Sequence, residues 1–145
     1  MVAKQGLESY VNTSVDTMDA GKLIVLLYDK LEEKLQLAID RLNKGDMVGK
    51  GNAILKSQDI IMELLSSLNL KAGPIAVNLQ AIYLFMFREL NRINFEKDVD
   101  ALKKVLQAVQ ELKSAWVEIT TKQKNGTTKT GHLEKGYSKK LAIVA

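Results

Sequence analysis

The sequence contains no cysteine, only one proline and only one histidine. Without cysteine the chain forms no disulfide, thiolate nucleophile or cysteine-ligated metal site, which fits a reducing compartment. One proline argues against turn-rich β structure. The histidine, His132, stands in a polar stretch without the serine and aspartate partners that a nucleophilic catalytic system needs.

Further absences bear on enzyme activity. The phosphate-binding patterns G-x-x-x-x-G-K-[ST] and G-x-G-x-x-G do not occur, and the Glu-x-x-His pattern of di-iron bundles is missing. Glu32 and Glu33 are adjacent, so on a helix they point about 100° apart and cannot share a metal on one face. We therefore expect no catalytic residues, no cofactor and no metal, which means that the chain is not an enzyme.

Long apolar segments are also absent. No run approaches the roughly 20 apolar residues that span a bilayer, and the first residues, MVAKQGLESYVNTS, lack the apolar core of a signal peptide. We expect a cytosolic protein without membrane insertion. Its 145 residues are enough for one domain that buries a real core.

Positive charge is concentrated at one end of the chain. Residues 1–119 carry fifteen Lys and Arg against sixteen Asp and Glu, whereas residues 120–145 carry six lysines and only Glu134. The segment 120–145 is rich in Lys, Thr and Gly and predicts a flexible, disordered basic tail. Because Tyr137 is its only aromatic residue and it lacks arginine, a solvated extension is favoured over a specific nucleic-acid binder. The apolar residues 141–145 could dock on the folded body or on a neighbour.

The spacing of apolar residues predicts four helices, at about residues 20–44, 46–69, 74–94 and 98–119. Predicted N-caps are Asp19, Asp46 and Asp98, and Pro74 suits the first position of the third helix. Equal lengths and short loops predict an all-α, antiparallel up-down four-helix bundle over residues 1–119, with an N-terminal segment before it.

Two of these helices are more apolar than a bundle requires. Residues 81–87 and 23–28 are continuous apolar runs, although a bundle helix needs only about three apolar positions in seven. Since each helix of such a bundle keeps an outward face, Leu84 and Phe87, or Val25 and Tyr28, should lie wholly or partly outside. Large exposed apolar patches mark partner sites, and a groove between helices commonly receives an amphipathic helix.

The order and spacing of several motifs over about residues 10–119 resemble the FliS family of flagellin export chaperones. The first are Tyr10, the V-x-T element at 15–17 and KLIVLLYD at 22–29. They are followed by QDIIMELLSSLN at 58–69, Gly73, IAVNL at 75–79 and IYLFM at 82–86. The last are Leu90, Asn94 and WVEI at 116–119.

This resemblance implies a bacterial cytosolic chaperone that binds the disordered C-terminal segment of flagellin, which folds as it wraps around the bundle. It also implies that the chaperone prevents premature polymerisation and delivers flagellin to the export gate protein FlhA. By the resemblance, the flagellin-binding residues are Ile24, Tyr28, Asn78, Tyr83, Leu84 and Phe87. Tyr10 and Val15 match the segment that contacts the gate or covers part of the groove.

Several assignments stay open at this point. Asn78 is either a buried amide that ties two helices together or a contact to the partner, and Trp116 is expected to anchor the core. Leu84 replaces an acidic residue of the family pattern, which makes the surface more apolar and leaves room for a homodimer. The alternative function is a self-associating structural bundle with a basic tail that binds nucleic acid or lipid.

Overall fold

The computed structural model describes residues 20–124, and these form four α-helices without any strand. Helix α1 spans Ala20–Asn43, α2 spans Met47–Ser66, α3 spans Pro74–Asn94 and α4 spans Val99–Lys124. A short 3-10 helix, Leu70–Ala72, lies between α2 and α3. The prediction of an all-α four-helix bundle is confirmed. The predicted Asp19 cap, the N-terminal segment and residues 125–145 of the tail lie outside the described residues.

Two of the three predicted caps are present. The Gly49 backbone N–H donates to Asp46 Oδ1 at 2.9 Å, and the Ala101 backbone N–H donates to Asp98 Oδ1 at 3.0 Å. The bond from Ala101, assisted by Arg92, holds the pKa of the Asp98 carboxyl below its usual range. Such bonds satisfy backbone donors that the first turn of a helix leaves unpaired.

The helix ends differ from the predicted ones at two places. Helix α2 ends at Ser66 instead of about residue 69, because Asn69 accepts a bond from the Lys71 N–H and starts the 3-10 turn. Helix α4 continues to Lys124, five residues into the segment predicted as a tail. Its apolar pattern stops at Ile119, but lysine and glutamine are good helix formers and need no buried face to continue a helix.

Helix α1 packs closely against α2 and α4, whereas α3 packs less closely against the same two neighbours. Helices α1 and α3 therefore lie on one diagonal of the bundle, and α2 and α4 on the other. Lys50 near the start of α2 bonds Ile93 near the end of α3, which shows that these two helices run antiparallel. The starts of α1 and α3 consequently share one end of the bundle with the ends of α2 and α4.

The core is formed by one face of each helix. On α3 the buried residues recur at spacings of three and four, and they include Leu79, Ile82, Met86, Leu90 and Ile93. Their partners include Leu31, Leu35, Ile54, Ile61, Leu64, Leu102, Val109 and Leu112. Trp116 packs against this cluster from a partly exposed position.

The candidate partner-binding surface

Exposed apolar side chains are concentrated on one side of the bundle. Among the described residues, eight of the nine large apolar side chains that are exposed lie on α2, on α3 or in the connections next to them. These eight are Val48, Leu55, Met62, Leu70, Val77, Leu84, Phe85 and Phe95; the ninth, Val117, lies on α4. Within residues 21–43, α1 exposes none. A helical bundle that exposes its large apolar residues together has a surface suited to a partner.

On α2 the exposed residues form one line. Val48, Leu55 and Met62 follow one another at seven-residue spacing, and seven residues turn a helix to within about 20° of two full turns. Gln58 lies about 60° around the helix from Leu55, and its Nε2 donates to the Phe87 carbonyl of α3 at 3.2 Å. The line on α2 therefore borders the α2–α3 interface on its solvent side.

A matching line lies on α3. Phe87, whose carbonyl receives the Gln58 bond, is half-buried against the core. Leu84 is exposed about 60° further from the core, and Val77 lies seven residues before it. We call the six residues Val48, Leu55, Met62, Val77, Leu84 and Phe87 the α2–α3 strip. The looser packing of α3 leaves this strip as a lengthwise apolar surface between two helices.

The predicted binding residues divide into surface and interior positions. Leu84 and Asn78 are exposed, and Ile24 and Phe87 are half-buried. Tyr28 and Tyr83 are buried completely. The expectation that Tyr28 lies at least partly outside is therefore wrong, and Tyr83 does not border the surface. Both rings point into the centre of the bundle, where neither offers surface to a partner while the bundle is closed.

The exposed members of the predicted set do not form a single patch. Asn78 and Phe87 are nine residues apart, which places them on opposite sides of α3. Leu84 belongs with Phe87 on the α2 side, whereas Asn78 lies near Phe85 on the side towards α4. The interpretation of Asn78 as a buried amide is wrong, because its side chain is exposed. Tyr10 and Val15 lie outside the described residues, so their assignment stays a prediction.

The two buried tyrosines connect the diagonal helices. Their hydroxyl oxygens are 2.5 Å apart, and this bond joins α1 to α3 across the middle of the core. Burial raises the pKa of Tyr83 far above its usual value, although the bond to Tyr28 acts in the opposite direction. Pairing satisfies hydroxyl groups that would otherwise be costly to bury.

This pair predicts a specific pH dependence of stability. Because the pKa of Tyr83 is raised in the folded state, its contribution is complete below the unfolded pKa of about 10 and is lost as pH rises above it, by up to ~1.4 kcal/mol per pH unit. We expect Tyr83→Phe to cost about 1 kcal/mol at pH 8, and the gap to wild type to narrow above pH 10. Urea unfolding at pH 8, 10 and 11 measures this, and a gap that is independent of pH would contradict it.

Lys50 is a structural residue that the sequence analysis missed. Its side chain is only 3% exposed, and its Nζ donates to the carbonyl oxygens of Ile93 at 3.1 Å and Glu96 at 3.0 Å. It therefore caps the end of α3 from the start of α2. Its burial could have been predicted from its position four residues before Ile54, on the face of the helix where apolar residues are expected.

Charged pairs occupy other parts of the bundle. Lys113 of α4 contacts Asp29 at 2.5 Å and Glu32 at 3.5 Å, which joins α4 to α1. The bond to Asp29 is the main cause that raises the pKa of Lys113. Arg92 contacts Glu89, Glu96 and Asp98 around the α3–α4 connection. These ion pairs lie outside the α2–α3 strip, whose six members are apolar.

Within residues 20–124 no three histidine, aspartate or glutamate side chains are placed to hold a metal ion together. None of the helices described there combines the length and the apolar character needed to cross a membrane. The α2–α3 strip calls for a functional explanation because several of its large apolar side chains are exposed.

The family model "Flagellar protein FliS" matches residues 3–123 of the chain. The flagellar secretion chaperone FliS of Salmonella typhimurium is 34% identical over 128 residues, which cover 84% of this chain and 95% of that protein. The FliS chaperone of Vibrio cholerae is 31% identical over 126 residues, covering 83% and 93%. That of Bacillus subtilis is 29% identical over 116 residues, covering 80% and 86%.

The fold is a small helical bundle with a lengthwise apolar surface, and its relatives are named secretion chaperones. These features define a class of proteins that act by binding other proteins. The chain belongs to the FliS family of flagellar secretion chaperones. The matched region ends at residue 123, so most of the basic tail lies beyond it.

Proposed function

We propose that this protein binds the C-terminal segment of flagellin in the bacterial cytosol, prevents its premature polymerisation and delivers it to the export gate protein FlhA. The observation that carries the proposal is the α2–α3 strip on a member of a flagellar secretion chaperone family. Tyr10 and Val15 are proposed to contact the gate or to cover part of the strip when no flagellin is bound.

The dimensions of the strip suit a helical ligand. Helix α2 has 20 residues, which corresponds to a length of about 30 Å at about 1.5 Å per residue. An amphipathic helix of similar length would present apolar residues at i, i+3, i+4 and i+7 to the two lines of the strip. Leu70 and Phe95 extend the apolar surface at its two ends, and Phe95 is 84% exposed.

The energetics of such binding require a long apolar surface. A disordered segment that folds on binding spends roughly 2–5 kcal/mol on ordering and typically buries about 1,000–3,000 Å². Isolated apolar contacts would not offset that cost, but lines of large side chains on two adjacent helices supply many contacts at once. The chaperone would act by stoichiometric binding, which needs no catalytic group.

Calorimetry with the C-terminal segment of the cognate flagellin tests the proposal directly. We expect one segment to bind per chain, with a clearly negative heat-capacity change, because apolar surface leaves water as the complex forms. The N-terminal segment of the same flagellin serves as the matched ligand control and is expected to give no comparable heat. Absence of binding by the C-terminal segment, with the bundle folded by circular dichroism, would contradict the proposal.

The exposed strip also favours a second candidate, a homodimer in which two copies cover each other's strips. It predicts an oligomer that grows with concentration in light scattering and that the flagellin segment does not dissociate. If the segment instead converts any dimer to a one-to-one complex, the strip is a binding site for flagellin and self-association is secondary.

A further inference from the structure

The tail begins at one end of the candidate surface. Helix α4 ends at Lys124, at the end of the bundle where α2 also ends and α3 begins. The family match stops at residue 123, so residues 125–145 lie beyond the matched region. The segment that follows α4 therefore starts at one end of the α2–α3 strip.

The sequence of the tail contains one apolar pattern. Leu133, Tyr137, Leu141 and Val144 are separated by four, four and three residues, so in a helix they would share one side. Lys135 and Lys139 would fall on the opposite side. A short amphipathic segment with this spacing has the form that a groove between two helices accepts.

We propose that residues 133–145 bind to the α2–α3 strip of their own chain and occupy it until an export substrate displaces them. The tail is then an intramolecular competitor that raises the threshold for binding. The competition rests on the proposed function, whereas the docking of the tail on the strip does not.

The linker between α4 and this segment is long enough. Residues 125–132 span at most about 26–29 Å when extended, and neighbouring helices of a bundle lie about 8–10 Å apart. The segment 133–145, if helical, is about 20 Å long, which is shorter than α2. A tether of this length gives an effective concentration on the order of millimolar, so even weak apolar contacts would keep the strip occupied.

Acidic side chains on the α2 edge of the strip favour binding of a basic segment there. Asp59 is exposed between Leu55 and Met62 on α2, and Glu63 lies one turn further. Arg88 on the α3 edge is also exposed, as is Lys56 on the outer face of α2. Lys135 and Lys139 lie opposite the apolar side of the segment and would face solvent, whereas Lys140 lies next to the apolar side and is expected to face the α2 edge near Asp59. Exposed ion pairs are weak, so they orient the segment while apolar contacts hold it.

A photo-crosslinking amino acid at position 55 of the full chain tests the docking. The expected product is an intramolecular crosslink between position 55 and residues 133–145, identified by mass spectrometry. The same probe at position 85 is the matched control, because Phe85 is similarly exposed on the other side of α3, and it is expected to give no such product. Crosslinks from position 55 to residues 1–19, to a second copy, or to no tail residue would each overturn the proposal.

Substitutions within the tail test the competition separately. Leu141→Glu with Val144→Glu should abolish the crosslink and lower the dissociation constant for the flagellin C-terminal segment by about 3–10-fold, since the competitor is removed. Ile143→Glu introduces one carboxylate off the apolar side and should change both readouts little. An unchanged affinity in the double variant would overturn the competition. If flagellin does not bind either protein, the proposed function fails while the crosslink still decides the docking.

Discussion

Leu84→Glu is expected to weaken the binding of the flagellin C-terminal segment by about 10–100-fold. Burying one leucine is worth about 1.5–3 kcal/mol, and each 1.4 kcal/mol corresponds to a tenfold change in affinity. Leu84 is 42% exposed in the free protein, so glutamate is tolerated there until a partner covers the site. The double variant Leu55→Glu with Leu84→Glu places a carboxylate on both lines of the strip and should remove measurable binding. Fluorescence anisotropy with a labelled segment measures both.

The adjacent residue provides the matched control. Phe85 is 46% exposed, but it points about 100° away from Leu84, towards the α4 side of the helix. Phe85→Glu should therefore change the affinity by less than about threefold, and both single variants should unfold at nearly the wild-type urea concentration. Equal losses at positions 84 and 85, or an unchanged affinity for Leu84→Glu, would show that the strip is not the binding surface.

The largest expected effect on stability comes from Lys50→Ala, at about 3–5 kcal/mol. The substitution removes two hydrogen bonds from a charged donor, each worth about 1.5–3 kcal/mol, and takes away the partner of two carbonyl groups at the end of α3. It also removes the buried aliphatic part of the side chain. Urea unfolding followed by circular dichroism gives the free energy of unfolding.

Two further variants separate the contributions at this position. Lys50→Met keeps most of the side-chain volume and should still lose about 2–3 kcal/mol, because the two carbonyl groups lose their donor. Lys56→Ala, at an exposed position of the same helix, should stay within about 0.5 kcal/mol of wild type. If Lys50→Ala and Lys56→Ala had similar effects, the ammonium group of Lys50 would not stabilise the α2–α3 pair as described.

The four-helix architecture could be predicted from the sequence because helix starts, caps and core spacing depend on neighbouring residues. The third helix begins at Pro74, its core residues repeat at helical spacing, and Asp46 and Asp98 cap their helices as their side chains predict. The end of α4 was harder to predict. A helix that continues past its last buried residue leaves no apolar pattern, so the extension to Lys124 could not be read from periodicity.

The binding surface was predictable only in part. An apolar surplus on the third helix correctly indicated an exposed Leu84, but the surplus on the first helix suggested an outward Tyr28. Tyr28 is instead buried through its bond to Tyr83, a pairing between residues 55 positions apart that no local pattern shows. For the same reason Tyr83→Glu would place a carboxylate in the core and disrupt the fold, so it does not report on the surface.

The contribution of α2 was missed although its signal was present. Val48, Leu55 and Met62 keep a seven-residue spacing beside the core positions, but apolar spacing alone does not distinguish such a line from the core stripe of the same helix. Which side of a helix meets solvent depends on where its neighbours lie. The hydrogen bond from Gln58 to the Phe87 carbonyl shows that position and places the line beside α3.

The central claim is that the α2–α3 strip binds the flagellin C-terminal segment, and methyl NMR of the isotope-labelled full chain tests it most directly. Titration with the segment should shift the methyl resonances of Val48, Leu55, Met62 and Leu84, and should leave that of Val117 on α4 nearly unchanged. Shifts confined to α1 and α4, with the strip methyl groups unaffected at saturation, would contradict the claim.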